Sequence, residues 1–595
     1  MEVELAGIPL VVLPGSYRRE SDSRRPAGSV RVGVRSFAAS GQARERLADR
    51  SWRSLGALPV WDGLGLRAGP ALRPVAAPTN WPPGNPAWSG VLAPEVHLVA
   101  GNRQWRLAGT AGNPSAGLSE VRTLAAPVID ACQMGTRLLL AHGTAAQVSS
   151  VDLASGSYTT SFYQNTARLV ATDGQAGYLV PTATGQDDRL LRYTAATSST
   201  TLLLDAPVRR LASHAGFVWA LTRTALWRVK GTTAELFFTH PPLLADDDGA
   251  FLVGHGTALY TWLAGRVHRC DTTGTVRGWT PAGPGGLATR GAASAGGFLW
   301  VVVQEATSGR WQLWATPGRL ATLQGLALDW ERAEPWYLVE EWSDAGAGWP
   351  VAAGGRHPDL DLLLLPASGS SLLAVQAQPR PGFPGLRASF RVTSGLLTAQ
   401  PLGAVPWLGV GAALAWLEGG GAPVTVQLGW SSDAGASWSW GAPRSLGEAA
   451  SGFAVLEERF AEPVVAAALA VQVAVSGVTS WSPAVVGLWG EGTGMAGGSS
   501  GASETVWQPR RRWRLAVQLG PLLPRADGAT DPRDPTGLAG LLWDAWRSGT
   551  PLAFRDVDAA PGTTQLVQLV GLEERLGGVA PGEARRLDLE LVEVG

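Results

Sequence analysis

Lysine is almost missing from this 595-residue chain: Lys230 stands alone against 47 arginines. Isoleucine occurs twice (Ile8, Ile129), asparagine five times and methionine three times. These scarce residues share AT-rich codons, so the shortage reads as the mark of a GC-rich genome rather than of a function. The two cysteines, Cys132 and Cys270, allow at most one bridge and exclude a disulfide framework. Net charge is −1, which gives a phosphate backbone or an anionic membrane nothing global to attract it, so no nucleic-acid partner is expected. No apolar run reaches the ~18 residues of a membrane span, so no membrane insertion is expected. Glu2 and Glu4 occupy the place of a basic leader region, and Pro9 and Pro14 break the apolar run that follows, so no secretory leader is expected either. Walker loops and H-E-x-x-H are missing, and the seven histidines show no paired base. The expectation is a non-enzyme with no cofactor, no catalytic residues and no metal site.

What is present is 27 Trp, 76 Gly and 41 Pro in a chain that is 45% hydrophobic and 16% charged. Short runs of Val, Leu, Trp and Tyr between Gly, Pro, Asp, Ser and Thr predict a mainly β, multi-domain fold. In the central third, first strands are expected near Ile129, Leu169, Leu211, Leu244 and Leu287, at spacings of 40, 42, 33 and 43 residues. Each is followed by a second apolar run and a strand of alternating aromatics. A four-stranded unit repeating every ~40 residues buries its faces only against its neighbours, which predicts a β-propeller of six or seven blades over 92–378. After the proline-rich stretch near Pro379, longer alternating strands over 385–493 predict a β-sandwich of carbohydrate-binding type. Residues 494–503 (GMAGGSSGAS) read as a linker, and 504–595 as a small α+β module. The module's one helix opens at Asp534-Pro535 and stops at Gly549, with Leu538, Leu541, Leu542 and Trp546 on one face. Residues 1–91 carry Trp52, Trp61, Trp81 and Trp88 among many arginines without a self-contained strand order. They are expected to form a docking arm against the C-terminal module or a neighbouring copy.

The sharpest local motif is Ser431-Ser432-Asp433-Ala434-Gly435-Ala436-Ser437-Trp438, which resembles the Asp-box of sialidases and other β proteins. Asp433 is expected to accept turn amides, Gly435 to take a positive φ and Trp438 to cover a hairpin, which makes the motif structural. A weaker copy lies at 343–349. Trp430, Trp440 and Trp481, with Trp438, are candidates for stacking on a sugar ring, although tryptophan in a sandwich is commonly core. Asp246-Asp247-Asp248-Gly249 offers carboxylates to a hard cation but reads first as a turn, and His357 to Asp361 and the pair His268 and Cys270 lack convergent ligands. Arg510 to Arg514, and Arg18-Arg19 with Arg24-Arg25, read as edge or subunit-contact residues.

The order of parts resembles bacteriophage tail proteins. The helix ending Leu541-Leu542-Trp543-Asp544-Ala545-Trp546-Arg547-Ser548-Gly549, the strand Pro551-Leu552-Ala553-Phe554-Arg555-Asp556 and the closing Leu589-Glu590-Leu591-Val592-Glu593-Val594 look like a module of such proteins. The segment from Ser36-Phe37 to Gly63-Leu64-Gly65 before a propeller, and the galactose-binding-like sandwich with Ser482-Pro483, add to the likeness. The resemblance implies a structural virion component at the tail tip or in a fibre, assembled in the host cytoplasm, with the propeller and sandwich presented for host attachment. Its implied partners are other tail proteins, a host-surface glycan and further copies of itself, a trimer being favoured by analogy with tail tips. Two other classes stay open: a lectin-like adhesin outside a virion, and a sialidase-like glycoside hydrolase, which needs two facing carboxylates in a cleft.

Overall fold

The structure is a computed structural model. It describes residues 2–5, 8–12, 16, 18–22, 29–34, 52–60, 65–75, 88–92, 95–107, 118–273, 277–318, 334–343, 351–353, 362–366, 372–376, 386–397, 404–416, 422–447, 451–493, 510–519, 539–540, 542–544, 546, 552–556, 565–576 and 585–593. Six four-stranded antiparallel sheets and one further four-stranded antiparallel blade, Ala288–Ala295 to Tyr337–Trp342, that is part of a ten-stranded sheet make a β-propeller. Their innermost strands are Trp88–Leu92, Asp130–Met134, Ala167–Thr172, Val208–His214, Leu252–His255, Ala288–Ala295 and Val351–Ala353. Each of these touches the next, and Val351–Ala353 returns to Trp88–Leu92, so the ring is closed. The seventh blade is completed from far away in sequence. Leu72–Val75 pairs antiparallel with Leu372–Gln376 as its outer strand, so the propeller reaches back before residue 92.

The repeat is more regular than the apolar runs suggest. Counted back from their hairpins, Ile129, Arg168, Arg209, Ala250 and Arg290 hold one position in or just before successive innermost strands, at spacings of 39, 41, 41 and 40. Leu244, expected in a first strand, lies instead in the crossing between the fourth and fifth blades and is 80% exposed. The expected second run of that unit, Phe251-Leu252-Val253, enters the innermost strand. The uneven spacings of 33 and 43 arise because Leu244 lies ahead of the strand it was expected to mark.

Separate apolar cores fill the gaps between the first six blades. Val99 meets Leu138 and Leu140, Leu139 meets Val170 and Leu179, and Tyr178 meets Val218. Trp219 meets Leu252 and Leu259, and Trp262 meets Val301. At the ring itself polar bonds tie neighbours together. Val170 N donates to Asp130 Oδ2 (2.8 Å), Thr172 N to Ser213 Oγ (2.9 Å) and Arg210 Nε to Ala250 O (2.9 Å), while His255 Nδ1 lies 2.8 Å from Ser294 Oγ.

The sixth blade continues into the sandwich. Its outer strand Tyr337–Trp342 pairs in parallel with Trp52–Leu55, which pairs in turn with Ser389–Ser394, followed by Ala470–Ser476 and Val424–Ser431. The facing sheet runs Gly452–Ala466, Val405–Trp416, Ala484–Thr493, Gly65–Ala68 and Ala57–Val60, with Ser29–Val34 also on Ala484–Thr493. One core spans the two sheets and the sixth blade, with Trp52, Trp300 and Trp407 fully buried.

The C-terminal module is a closed six-stranded barrel. Its strands run Ile8–Val12, Glu2–Leu5, Leu552–Arg555, Gln565–Leu576, Arg585–Glu593 and Arg510–Leu519, and Val12↔Val517 closes the circle. Arg18–Asp22 pairs with the other end of Arg510–Leu519. Ala539–Gly540, Leu542–Asp544 and Trp546 are helical, and Leu542 is buried in the barrel core beside Trp513 and Phe554. The helix ends and the expected linker lie outside the described residues.

Residues 1–91 are therefore not a separate arm. Their strands are shared among the barrel, the sandwich and the propeller: Glu2–Leu5, Ile8–Val12 and Arg18–Asp22 pair with strands of the C-terminal module, one of the two placements expected, whereas Trp52 is buried in the core of the sandwich. Trp61 and Trp81 lie outside the described residues.

Candidate functional site

The Asp-box forms the hairpin between Val424–Ser431 and Ser439–Trp440. Ser437 N donates to Asp433 Oδ1 (2.9 Å), the Ser431 hydroxyl donates to the same oxygen (2.7 Å), and Gly435 N donates to Ser431 Oγ (2.8 Å). Two positive φ angles, +59° at Ala434 and +94° at Gly435, reverse the chain. A Cβ on Gly435 would lie 3.7 Å from Cζ2 of Trp438, so the indole covers the turn. The side-chain bond from Ser431, with those from Ser437, holds the Asp433 carboxyl well below its ordinary range. A carboxylate depressed in this way stabilises the fold above the ordinary carboxylate pKa and loses that contribution as pH falls through the depressed value. Asp433→Ala is thus expected to lower the thermal midpoint at pH 7, with the difference from the parent shrinking in acid. A midpoint that does not move at either pH contradicts the structural role.

The candidate tryptophans do not converge. Trp430 shares a face with the core residues Val426 and Leu428 and packs on Phe460, centroids 4.8 Å apart. Trp440 lies on the opposite face, flat over Gly429, where a Cβ would come within 2.7 Å of the ring. It is 39% exposed, and its ring lies 6.2 Å from that of Trp438. Trp481 is core: it is 4% exposed, donates Nε1 to Ala422 O (2.9 Å) and packs on Trp416. It presents no face to a sugar and leaves the glycan set. Trp481→Ala is expected to cost about 3–5 kcal/mol, as large-to-small core changes do. Trp440→Ala, losing far less buried surface, should cost much less, and equal losses by denaturant titration would contradict this placement.

The other sequence candidates are spent on the fold. Asp248 accepts the amides of Leu244, Ala245 and Ala264 (3.1, 3.0 and 2.8 Å), and Asp247 accepts the indole N–H of Trp262 (2.7 Å). That is a turn with its carboxylates occupied. Cys270 is buried beside Trp219, and burial pushes its thiol up to about 11. Both cysteines are free, Cys132 in the second blade and Cys270 in the fifth. Arg514 Nε donates to Glu590 (2.9 Å) across the barrel wall. Among the described residues no three His, Cys, Asp or Glu converge on a metal site. Residues 344–349 of the weaker Asp-box copy and His357 to Asp361 lie outside the described residues.

Two arrangements had no local motif. Between the fifth and sixth blades, Arg269 ion-pairs with Glu334, which is 1% exposed, and the Tyr260 hydroxyl donates to Glu334 Oε1 (2.6 Å). Burial raises the Glu334 carboxyl above its ordinary range against the pull of Arg269 and Tyr260. The second is at one end of the propeller ring, where Arg168, Arg209 and Arg290 sit at β-bulges of the innermost strands. Arg290 lies over the Trp311 ring, 4.6 Å from its centroid. Asp130, on the innermost strand two blades before that of Arg210, is buried, and burial pushes its carboxyl up to about 7 against the opposing pull of the Arg210 charge. The shared phase of these arginines is the signal that finds them, and it appears only once the blades are aligned on their hairpins.

No family model matches the chain, and no curated protein sequence matches it. Among solved structures it is similar to catalytically inactive virginiamycin B lyase from Staphylococcus aureus with quinupristin, at 12% identity over 51% of this chain and 99% of that one, TM-score 0.36. It is also similar to BamB from Moraxella catarrhalis, at 12% identity over 59% and 99%, TM-score 0.30. A third similarity is to the N-terminal domain of Nup159, at 10% identity over 54% and 98%, TM-score 0.36.

Proposed function

We propose that this protein is a structural component of a bacteriophage tail, at the tail tip or in a fibre, that docks through its barrel and uses the propeller and sandwich for attachment to the host surface. The observation that supports this reading best is the routing of the chain. Strands from the first 91 residues complete the barrel, both sandwich sheets and the seventh blade, so none of these bodies is a bead on a string. A load-bearing particle component gains from such weaving, because pulling on one body loads hydrogen-bonded strands of the others. The reading is non-catalytic, and the carboxylates met so far carry structural work: Asp433 holds a hairpin, Asp248 a crossing and Glu334 a seam between blades. Partners on this reading are other tail proteins, further copies of the chain and a host-surface glycan.

Imaging of intact particles with an antibody against this chain tests the proposal. Label on the tail of purified particles supports it, and particles free of the chain overturn it. A second reading, a glycan-binding adhesin outside a virion, draws on the exposed Trp440 and its neighbour Trp438, and label on the cell envelope alone would favour it.

A further inference from the structure

Arg168 and Arg209 stand at the bulges of adjacent innermost strands, and Arg210 follows directly. Arg168 Nη2 donates to the carbonyls of Val208 and, at 3.4 Å, Asp187, while its Nε is buried with no hydrogen-bond partner among the described residues. Arg210 donates Nε to Ala250 O and Nη1 to Arg209 O, both at 2.9 Å. Arg209 is exposed. None of the three forms a salt bridge among the described residues.

Backbone carbonyls satisfy guanidinium N–H groups but bring no full countercharge. Burial lowers the pKa of both Arg168 and Arg210, and the neighbouring arginines add to it, Arg209 and Arg210 acting on Arg168 and Arg209 acting on Arg210. The charges of two acids oppose this, Asp187 acting on Arg168 and Asp130 acting on Arg210. Asp187 supplies one countercharge to three arginines, and Asp130 gives one oxygen to Val170 N while burial keeps much of it protonated near neutral pH. Positive charge therefore remains in excess at this end of the ring. An entering oxyanion gains two-pronged hydrogen bonds from planar guanidiniums and relieves their mutual repulsion.

We propose that Arg168, Arg209 and Arg210 form a binding site at one mouth of the propeller for an oxyanion carried on a glycan, either a carboxylate or a phosphate. This deepens the attachment reading by naming the ligand chemistry, and rests on that reading only for the glycan that carries the charge.

Calorimetric titration of the full chain in about 20 mM salt, where screening is weak, tests it with glucuronic acid, glycerol phosphate and inorganic phosphate, and with glucose as the neutral control. Saturable binding of at least one charged probe, with none of glucose, is expected. Arg209→Ala, an exposed change that leaves the backbone bond to Arg210 in place, should weaken that binding about tenfold or more, as loss of a charge-assisted hydrogen bond does. Arg391→Ala, exposed on the sandwich, should leave it unchanged. Glucuronate bound more tightly than glycerol phosphate assigns a carboxylated glycan, and the reverse order a phosphorylated one. No saturable binding of any charged probe, or equal affinity in Arg209→Ala, overturns the site. Particle imaging settles the tail reading separately, so either proposal can fail without the other.

Discussion

Replacing Arg269 by Met is expected to destabilise the propeller by about 3–5 kcal/mol, the loss typical of a buried ion pair stripped of one partner. Arg269 is 6% exposed at its side chain, and besides Glu334 it donates Nε to Asp271 (3.1 Å) and Nη1 to Gly318 O (3.5 Å). Without it, Glu334 keeps only the Tyr260 hydroxyl, while its Oε2 already lacks a partner among the described residues. The carboxyl that burial already raises would rise further, so folding of the variant would draw a proton onto Glu334. A folded-state pKa raised above the unfolded value favours the fold below the unfolded value, and that advantage is lost as pH climbs through the folded one. The deficit of Arg269→Met should therefore be smaller at pH 5 than at pH 8. Adding Glu334→Gln removes the stranded charge but keeps an acceptor for Tyr260, so the double variant should recover much of the loss. Trp262 and Trp336, in the same core, would report the transition by fluorescence. A single variant as stable as the parent, or a deficit that grows in acid, would falsify this account of the seam.

The fold was legible where burial imposes a period. A four-stranded blade has two faces to hide, and the ~40-residue recurrence of apolar runs carries that requirement directly. It misled at Leu244, because an exposed leucine in a long crossing is indistinguishable in sequence from one in a strand. The Asp-box was legible because all its bonds are local, spanning Ser431 to Ser437. Non-local pairing was not legible. The contact of Leu72–Val75 with Leu372–Gln376, or of Glu2–Leu5 with Leu552–Arg555, leaves no trace within either short strand. The tryptophan candidates do not converge for a related reason. Residues 430 and 440 are both aromatic and near one hairpin, but strand alternation and register put them on opposite faces. The arginines at the ring mouth were hidden because their common feature is a phase in the repeat rather than a spacing along one strand.

A chain starting at Leu92 is expected not to fold as a cooperative unit. It lacks all but one residue of the first blade's innermost strand, Trp88–Leu92, and the whole of Leu72–Val75, so the ring loses its closure on both sides of the first and seventh blades. The sandwich loses Trp52–Leu55, its link to the sixth blade, together with Ser29–Val34, Ala57–Val60 and Gly65–Ala68. The barrel loses both strands of the hairpin Glu2–Leu5 and Ile8–Val12, leaving a four-stranded sheet with its apolar face open. Val3, Leu5, Leu10, Val12, Trp52, Leu58 and Leu66 are all buried in the full chain. At about 1.5–3 kcal/mol for each such side chain, their burial is worth more than about 10 kcal/mol, comparable to the whole stability of an ordinary domain. The apolar partners left behind would be exposed as unpaired edges and patches, which favour aggregation. Size-exclusion chromatography should accordingly find the shortened chain in the void volume, and co-expression of residues 1–91 as a separate fragment should return part of it to a soluble complex. A shortened chain that elutes as a monomer and keeps the near-ultraviolet dichroism and sharp thermal transition of the parent would show that the first 91 residues are dispensable to the fold.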